Sequence, residues 1–269
     1  MNRWLITGVG SGLGREIARQ ALARGDTVLG TVRKPADKAA FEAQAPGAGR
    51  ALILDLADPA AVAGAAIGEV DILVNNAGYG LVGAVEEASL AEARAQFEVN
   101  VFAPLALIQA VLPAMRHRRA GTIVNVTSVS GIAVWAGTGL YCASKHALEA
   151  IGESLADELA PLGVRVINVA PGGMRTDYAG RSLVRPERPI ADYDGGPGHA
   201  AEAILASHAG GEAGDPAKIA RAIIDAALGE SPPKRLLLGE DALHYAQAHI
   251  DGLAAEIERW REVSLSTAF

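Results

Sequence analysis

The chain has little cysteine and no excess of positive charge. Its 269 residues include a single cysteine, Cys142, which excludes an internal disulfide framework and a multi-thiolate zinc site. Acidic residues outnumber basic ones by 31 to 24, giving a formal net charge of −7. A chain with this balance repels polyphosphate backbones, so nucleic acid is not an expected partner.

Segments that would direct the chain to a membrane or out of the cell are not expected either. The sequence enters a strand-like run at 3–7 with no basic or long apolar region before it, which argues against a secretory signal. Charged or strongly polar residues interrupt the apolar stretches before they reach the roughly 18 residues of a spanning helix. We therefore expect a cytoplasmic protein that does not bind membranes.

The hydrophobic pattern predicts one α/β domain spanning residues 1–269. Half of the residues are hydrophobic, and short β-branched or leucine-rich runs alternate with alanine-rich stretches of helical period. This alternation is typical of a doubly wound parallel sheet with helices on both faces. We predict seven strands, at 3–7, 27–32, 50–55, 71–75, 122–127, 164–169 and 236–238. The main predicted helices are 14–24, 90–118 with kinks at Pro104 and Pro113, and 139–159.

The pattern is lost between Pro171 and Pro216. This stretch is rich in Gly, Pro and Asp and includes the run Gly-Gly-Pro-Gly at 195–198. It is too long and too polar for a simple connection between elements. We predict a mobile substrate lid at about 173–215.

A glycine-rich turn follows the first predicted strand and opens the first predicted helix. Its sequence, Thr-Gly-Val-Gly-Ser-Gly-Leu-Gly at 7–14, departs from the G-x-G-x-x-G spacing and matches T-G-x-x-x-G-x-G. Small residues here let backbone N–H groups and the helix dipole approach a pyrophosphate. The alternative is a tight turn without a ligand. The predicted cofactor contacts in the turn are Gly8, Ser11, Gly12, Leu13 and Gly14.

The end of the second predicted strand favours NADP over NAD. An acidic residue at this corner would bind the ribose 2′-hydroxyl of NAD, but the strand ends Gly-Thr-Val-Arg at 30–33. The Arg33 guanidinium can pair with a 2′-phosphate, and Ser11 can add a hydroxyl donor. Arg33 could instead be an ordinary surface arginine. At the end of the third strand, Asp55 is placed to accept the adenine amino group, with Leu56 beside it as a further cofactor contact.

Tyr141 and Lys145 stand four residues apart, on one face of a predicted helix. A tyrosine is a poor base at neutral pH, but a neighbouring ammonium favours the phenolate. Ser128 ends the fifth predicted strand, where its hydroxyl can bind a substrate carbonyl beside the tyrosine. On their own, these residues could also be an unremarkable helix pair next to a strand-end serine.

Six motifs in order give the chain a resemblance to the short-chain dehydrogenase/reductase family: Thr7-Gly-x-x-x-Gly-x-Gly14, Asn75-Asn-Ala-Gly78, Asn100, Ser128, Tyr141-x-x-x-Lys145 and Pro171-Gly172. The resemblance implies a Rossmann-type fold. It also implies that Tyr141 is the general acid in reduction and the base in oxidation, and that Lys145 binds the nicotinamide ribose as well. Ser128 would orient the carbonyl, and Asn100 would hold a water in the proton relay.

The resemblance assigns further contacts around the cofactor. Asn76, Ala77 and Gly78 would line its adenosine side, while Asn75 braces the central sheet. Pro171, Gly172 and Thr176 would flank the nicotinamide. A homodimer or homotetramer through the long helices 90–118 and 139–159 is also plausible. Softer matches at 30–35, 171–183 and 233–239 are similar to hydroxysteroid dehydrogenase-like bacterial reductases, but a steroid substrate does not follow from the fold.

Three residues are candidates for the substrate pocket. Trp135, in the loop before Tyr141, could form an apolar wall or simply pack the loop. Met174 and Tyr178 lie in or beside the predicted lid. No metal is expected, because the two histidines of the last helix, His244 and His249, point about 140° apart and lack a third ligand.

The combined prediction is an NADP(H)-dependent oxidoreductase that interconverts a carbonyl and a secondary alcohol of a small molecule. Hydride transfer would belong to the nicotinamide, and Tyr141 would move the proton. Two alternatives remain. The protein could be an NAD-linked alcohol dehydrogenase of the same fold, or a dinucleotide-sensing regulatory protein in which turnover is incidental.

Overall fold

A seven-stranded, fully parallel sheet forms the centre of the protein. The computed structural model describes residues 1–176, 182–208 and 211–268. The strands of this sheet are β1 (Arg3–Ile6), β2 (Thr27–Val32), β3 (Gly49–Ile53), β4 (Ile72–Asn75), β6 (Gly121–Val126), β7 (Val164–Pro171) and β9 (Arg235–Leu238). Their order is β3-β2-β1-β4-β6-β7-β9, and a separate parallel pair joins β5 (Gly80–Leu81) to β8 (Leu183–Val184).

Helices cover both faces of the sheet. They are α1 (Gly12–Ala23), α2 (Pro35–Gln44), α3 (Pro59–Ala63), α4 (Leu90–Phe97), α5 (Ala103–Arg118), α6 (Gly139–Leu159), α7 (Pro197–His208), α8 (Pro216–Leu228), α9 (Glu240–Arg259) and α10 (Arg261–Leu265). Several begin with proline, whose fixed φ and missing N–H suit the first turn. Ser89 and Glu92 form a capping box on α4.

Two apolar cores lie on opposite sides of the sheet. One packs Ile6 and Val74 against α1 and α8, where Ile17 and Ile223 are fully buried. The other includes Leu73 and Ile123 with the inner face of α5. Because both faces are covered, the strands are apolar along nearly their whole length, as buried parallel strands are.

The predicted seven strands are confirmed, with shifts at their ends. β3 ends at Ile53 rather than residue 55, because the Asp55 side chain accepts a hydrogen bond from the Ala57 N–H (3.0 Å) and turns the chain. The predicted helix 90–118 contains a π-helical turn at Glu98–Phe102 just before Pro104. Pro113 lies inside α5 and does not end it.

One apolar stretch comes close to the length of a membrane-spanning helix. An 18-residue window within Leu90–Arg118 has a mean hydropathy of 1.5 and no more than two charged residues, which is the length and composition of a membrane-spanning helix. A core helix of a soluble protein meets the same test, and such a helix is weak evidence for a membrane span. Here the inner face of α5, including Leu107, Ile108 and Met115, is fully buried in the second core.

The predicted lid contains regular structure in its described part. β8 pairs with β5, and α7 begins at Pro197 inside the glycine-rich run. The buried Glu87 carboxylate accepts hydrogen bonds from the Ile190 N–H (2.7 Å) and from His199 Nε2 (2.7 Å). It also accepts one from the Ala84 N–H (2.8 Å). Glu87 therefore fastens the lid to the segment between β5 and α4.

Candidate active site

The candidate site lies at the carboxyl ends of the central strands. β1 pairs with β2 on one side and β4 on the other, so the strand order reverses there, and ligands of open α/β sheets bind at this crevice. The structure places the candidate residues of five loops along this edge. They are Gly8–Gly14 after β1, Arg33 after β2, Asn76–Gly78 after β4, Ser128 after β6, and Pro171 with Gly172 at the end of β7.

Two glycines of the turn 8–14 are required by its geometry. Gly8 has a φ of +77°, and its N–H donates to the main-chain (3.2 Å) and hydroxyl (3.1 Å) oxygens of Thr31. A Cβ on Gly14 would lie 2.5 Å from the Gly8 carbonyl oxygen and also collide with the Asn76 amide. These contacts hold the start of α1 close to β1. Leu13 itself is buried in the core.

The amino terminus of α1 is open to an anionic ligand. Ser11 is the N-cap residue, yet its exposed hydroxyl makes no capping hydrogen bond, so the first N–H groups of α1 lack a side-chain acceptor. A cleft of about 480 Å³ lies there, lined in part by Gly12, Arg15, Arg175 and Thr176. Open donors, a helix dipole and two guanidinium groups fit the pyrophosphate of a dinucleotide.

Asn76 and Ala77 are held against the turn by Thr7. The Thr7 hydroxyl accepts from the N–H groups of Asn76 and Ala77, both at 2.9 Å, and the Asn76 amide donates to the Thr7 carbonyl at 2.8 Å. The loop after β4 is thereby fixed beside the glycine-rich turn.

The corner after β2 and β3 presents an exposed cation and an exposed carboxylate. Arg33 and Asp55 are both exposed, whereas Leu56 is buried in the second core. Within the described residues, the Arg33 guanidinium makes no hydrogen bond or ion pair and is exposed, so it is available to a ligand. Asp37, in the first turn of α2, lies beside Gly10 at the same corner.

Tyr141 and Lys145 meet on the first turns of α6, as their spacing predicts. Lys145 Nζ lies 5.8 Å from the centre of the Tyr141 ring and donates to the Val126 carbonyl at 2.9 Å. Lys145 is only 5 % exposed, and this burial lowers its pKa to about 8, with the nearby Glu149 carboxylate acting in the opposite direction. Ser128, two residues beyond Val126, accepts from the Ser130 N–H at 3.1 Å.

The buried Asn100 lies in the π-helical turn and joins the loop after β4 to α6. Its side-chain nitrogen donates to the Tyr79 carbonyl (2.9 Å) and to the Ser144 hydroxyl (3.0 Å), and its oxygen accepts from the Tyr79 N–H (3.1 Å). The Ser144 hydroxyl in turn donates to the Tyr141 carbonyl (2.7 Å). A Cβ on Gly78 would come 3.0 Å from the Asn100 side-chain oxygen and 3.5 Å from Lys145 Nζ.

Ser144 had no predicted role, although it stands three residues after Tyr141 on the same helix. Single π-helical turns within α-helices are frequently found at functional sites. In this one, the hydrogen bonds of Asn100 and Ser144 place the Tyr141 main chain against the loop after β4.

Behind the site, Asn75 braces the central sheet as predicted, but it does so through a buried polar ladder that was not predicted. Asn75 donates to Asn125 (3.0 Å) and Asn125 to Asn168 (3.1 Å), one from each of three adjacent strands. The Asn168 amide donates to the Glu149 carboxylate (3.1 Å), which also accepts from Arg235 Nε (3.0 Å). The signal in the sequence was an asparagine at the same register position of β4, β6 and β7.

The segment after β7 closes the other side of the crevice. The Gly173 N–H donates to the Asp241 carboxylate (2.7 Å), and Met174 forms a bridge with Gly214 while packing against the first core. The Thr176 side chain lies beside Gly12. Met174 therefore supports the base of the lid, and its predicted place in a substrate pocket remains a prediction.

Trp135 contacts α9. Its ring meets that of Tyr245 edge to face, with centroids 5.3 Å apart. The predicted pocket residue Tyr178 lies outside the described residues. Throughout the described ranges, no group of three or more His, Cys, Asp or Glu side chains is arranged to hold a metal ion.

Comparison with known proteins identifies the family. The profile described as "short chain dehydrogenase" matches residues 2–185. The chain belongs to the short-chain dehydrogenase family. Oxidoreductase BOA17 of Botryotinia fuckeliana is 36 % identical over 278 residues, covering 98 % of each chain.

Solved structures agree with this assignment to the short-chain dehydrogenases. A short-chain dehydrogenase from Streptomyces avermitilis is 40 % identical with a TM-score of 0.91, covering 99 % of this chain and 98 % of that one. Another, from Sphingobium yanoikuyae in complex with NADPH, is 25 % identical with a TM-score of 0.71, covering 100 % and 97 %. The protein is a short-chain dehydrogenase/reductase that acts on CH–OH or C=O groups of small molecules with a nicotinamide dinucleotide.

Proposed function

We propose that the protein is an NADP(H)-dependent oxidoreductase that interconverts a carbonyl and a secondary alcohol, with Tyr141 as the general acid and base. The observation that carries the proposal is the pairing of Tyr141 with the buried Lys145 ammonium at the mouth of the crevice. The bound nicotinamide supplies or accepts the hydride. Positioning the carbonyl and moving the proton are left to the side chains of this chain.

In reduction, the Tyr141 hydroxyl donates its proton to the carbonyl oxygen as that oxygen gains negative charge. With a pKa of about 8, Lys145 is mostly protonated at neutral pH, and its positive charge stabilises the phenolate that remains. The Ser128 hydroxyl donates a hydrogen bond to the same carbonyl oxygen and fixes its orientation. In oxidation, the phenolate accepts the proton.

Asn100 contributes to proton supply through its main chain. Its side-chain amide is already engaged by Tyr79 and Ser144. The π-helical turn and Pro104, which has no N–H to donate, interrupt the α-helical hydrogen bonding around Asn100. We propose that the Asn100 carbonyl binds a water of the proton relay beside Lys145.

Cofactor preference depends on the corner after β2. The exposed Arg33 guanidinium and the Ser11 hydroxyl, which makes no capping hydrogen bond to α1, favour binding of a 2′-phosphate. The Asp37 carboxylate beside Gly10 repels a 2′-phosphate. The attraction of the phosphate to Arg33 must therefore exceed this repulsion. A relative solved with NADPH adds support.

We further propose a single cytoplasmic domain that works as a homo-oligomer. Trp135 lines the substrate, and the residues that line the cofactor are Gly8, Gly12, Asp55, Leu56, Asn76, Ala77, Gly78, Pro171, Gly172 and Thr176.

The test is oxidation of NADPH and of NADH, followed by nicotinamide absorbance, with aldehydes, cyclic ketones, β-ketoacyl esters and ketosteroids. We expect turnover with NADPH and a loss confined to NADPH in Arg33→Ala, with the nearby Arg50→Ala as the surface-arginine control. Turnover that prefers NADH and is unchanged in Arg33→Ala would favour the NAD-linked alternative. Tight cofactor binding without turnover on any class would favour the sensor.

A further inference from the structure

The last two helices carry an unusual share of the exposed apolar surface. Of the sixteen large apolar side chains exposed in the described residues, seven lie in α9 and α10, and an eighth, Trp260, lies between these two helices. They are Leu243, Tyr245, Ile250, Leu253, Ile257, Trp260, Val263 and Leu265. Isolated exposed apolar residues are normal, but a concentration of this kind marks an interaction surface.

One face of α9 is covered by the rest of the protein at the start of the helix and is exposed further along. Ala242 and Ala246 are 0 % and 3 % exposed. Further along the same face stand Ile250, Leu253 and Ile257 (53 %, 52 % and 59 % exposed), and then Trp260 (54 %). Ala246 and Ile257 are about three turns apart within α9, so the face stays aligned while its cover ends, and Trp260 follows as the C-cap residue. The segment 247–260 is called the arm.

The base of the arm is fixed to two loops of the candidate active site. Asp241 accepts from the Gly173 N–H, at the start of the lid (2.7 Å). Tyr245 packs edge to face on Trp135, in the loop between Ser128 and Tyr141. The arm therefore leaves the body at a defined point, whereas its residues from 247 onward are exposed.

The spacing of the arm's apolar residues suits packing against a second helix that has the same spacing. Ile250, Leu253, Ile257 and Trp260 alternate steps of three and four residues, the a/d pattern by which two helices interlock side chains. The segment 240–269 holds six acidic and two basic residues. An anionic lipid surface would repel this charge, and interfacial helices are typically rich in Lys and Arg instead.

Charges beside the apolar stripe formed by Ile250, Leu253, Ile257 and Trp260 favour one orientation of the two paired helices. In the a/d numbering of the apolar residues, Glu256 of α9 and Arg261, the first residue of α10, take the g and e positions on opposite sides of the stripe. In a parallel pair around a two-fold axis, each Glu256 faces Arg261 of the partner subunit, whereas an antiparallel pair brings the two Glu256 side chains toward each other. Within one chain Arg261 pairs with Glu258 (2.8 Å) at an exposed site, which is worth little. We propose that the arm pairs in parallel with the arm of a second copy of this chain.

The proposal predicts that the full-length protein is a dimer whose stability depends on the stripe. Light scattering during size exclusion at tens of micromolar should give twice the mass of the 27.7 kDa chain. Leu253→Glu should weaken dimerisation about tenfold or more, because it removes a leucine from the seam and places a charge there. The matched control is Ala255→Glu, an exposed position on the opposite face of the same helix, which should leave the mass unchanged.

A monomeric wild-type protein at this concentration would overturn the proposal. So would a dimer that Leu253→Glu leaves intact, since the long helices α5 and α6 would then be the interface. Diluted until both are monomeric, the two variants should show the same thermal midpoint by circular dichroism, because both positions are exposed and dimerisation no longer contributes. The membrane alternative is tested with vesicles of phosphatidylcholine alone or of phosphatidylcholine with phosphatidylserine. If the wild-type protein sediments together with either kind of vesicle, the stripe binds a membrane and the proposed pairing is refuted.

Orientation is tested by oxidative cross-linking. Cys142 is buried, at 1 % exposed, so an introduced cysteine in the arm is the accessible thiol. In a parallel pair, Trp260→Cys brings the two new thiols together and should give a covalent dimer. A double variant Ile250→Cys, Trp260→Cys that cross-links while Trp260→Cys alone does not would indicate an antiparallel pair and contradict the proposed orientation.

Discussion

Replacing Gly14 with alanine should destabilise the protein, although the same change in an open helix does the opposite. Gly14 lies in α1 with an ordinary helical φ. Helix propensity alone would therefore predict a gain of up to about 1 kcal/mol. The structure reverses this sign, because the added Cβ would lie 2.5 Å from the Gly8 carbonyl oxygen and collide with the Asn76 side chain.

The magnitude follows from what must move. The Gly8 carbonyl belongs to the main chain of a turn that Thr31 holds by hydrogen bonds, so it cannot swing away like the end of a long side chain. Overpacking of this kind costs about 1–3 kcal/mol. After subtraction of a propensity gain of about 1 kcal/mol, the free energy of unfolding should fall by up to about 2 kcal/mol. For a chain of this size, that lowers the thermal midpoint by up to roughly 8 °C.

The assay is thermal unfolding followed by circular dichroism, together with fluorescence titration of NADPH, whose affinity should also fall as α1 moves away from the turn. The control is Gly252→Ala, a helical glycine in α9 with nothing within 4 Å of the added Cβ. It should not lower the midpoint. A Gly14→Ala protein as stable as the wild type, or more so, would refute the close approach of α1 to β1.

Two further predictions concern titration. The rate of carbonyl reduction at saturating NADPH should fall as the pH rises through about 8, because Lys145 has a lowered pKa and loses its ammonium charge there; a rate that stays constant to about pH 10 would contradict this. The Glu87 carboxylate raises the pKa of His199, and hydrogen bonds, led by that from the Ile190 N–H, lower the pKa of Glu87. Their ion pair therefore stabilises the lid above the range where Glu87 protonates and is lost as the pH rises through the raised pKa of His199. Hydrogen exchange in 187–193 should accelerate in His199→Gln at pH 6 and approach the wild-type rate at alkaline pH, and equal rates at pH 6 would show that His199 does not hold the lid.

Local signals predicted the elements around the site. α6 spans Gly139–Leu159 as expected, because Pro161 cannot continue it and Gly163, at a φ of +73°, turns the chain into β7. The spacing of Tyr141 and Lys145 on this helix was enough to place both at the crevice. The glycine-rich turn likewise follows from its position between a strand and a helix.

Contacts that depend on strand register and loop packing could not be predicted from short stretches of sequence. The ladder through Asn75, Asn125 and Asn168 exists because three strands separated in sequence align at one register. The attachment of Arg235 to Glu149 depends on β9 adding to the sheet edge beside β7. The exposed arm also escaped prediction, because the apolar period of a helix does not reveal whether the body covers it.

The most direct test of the account is the reductase activity of Tyr141→Phe on a substrate found in the screen with the wild-type protein. Phenylalanine keeps the ring beside Lys145 and removes only the hydroxyl. The account predicts that kcat falls by about 10²–10⁴, the usual contribution of a positioned general acid, while the Kd for NADPH is unchanged. A variant that retains the wild-type kcat would show that Tyr141 does not move the proton.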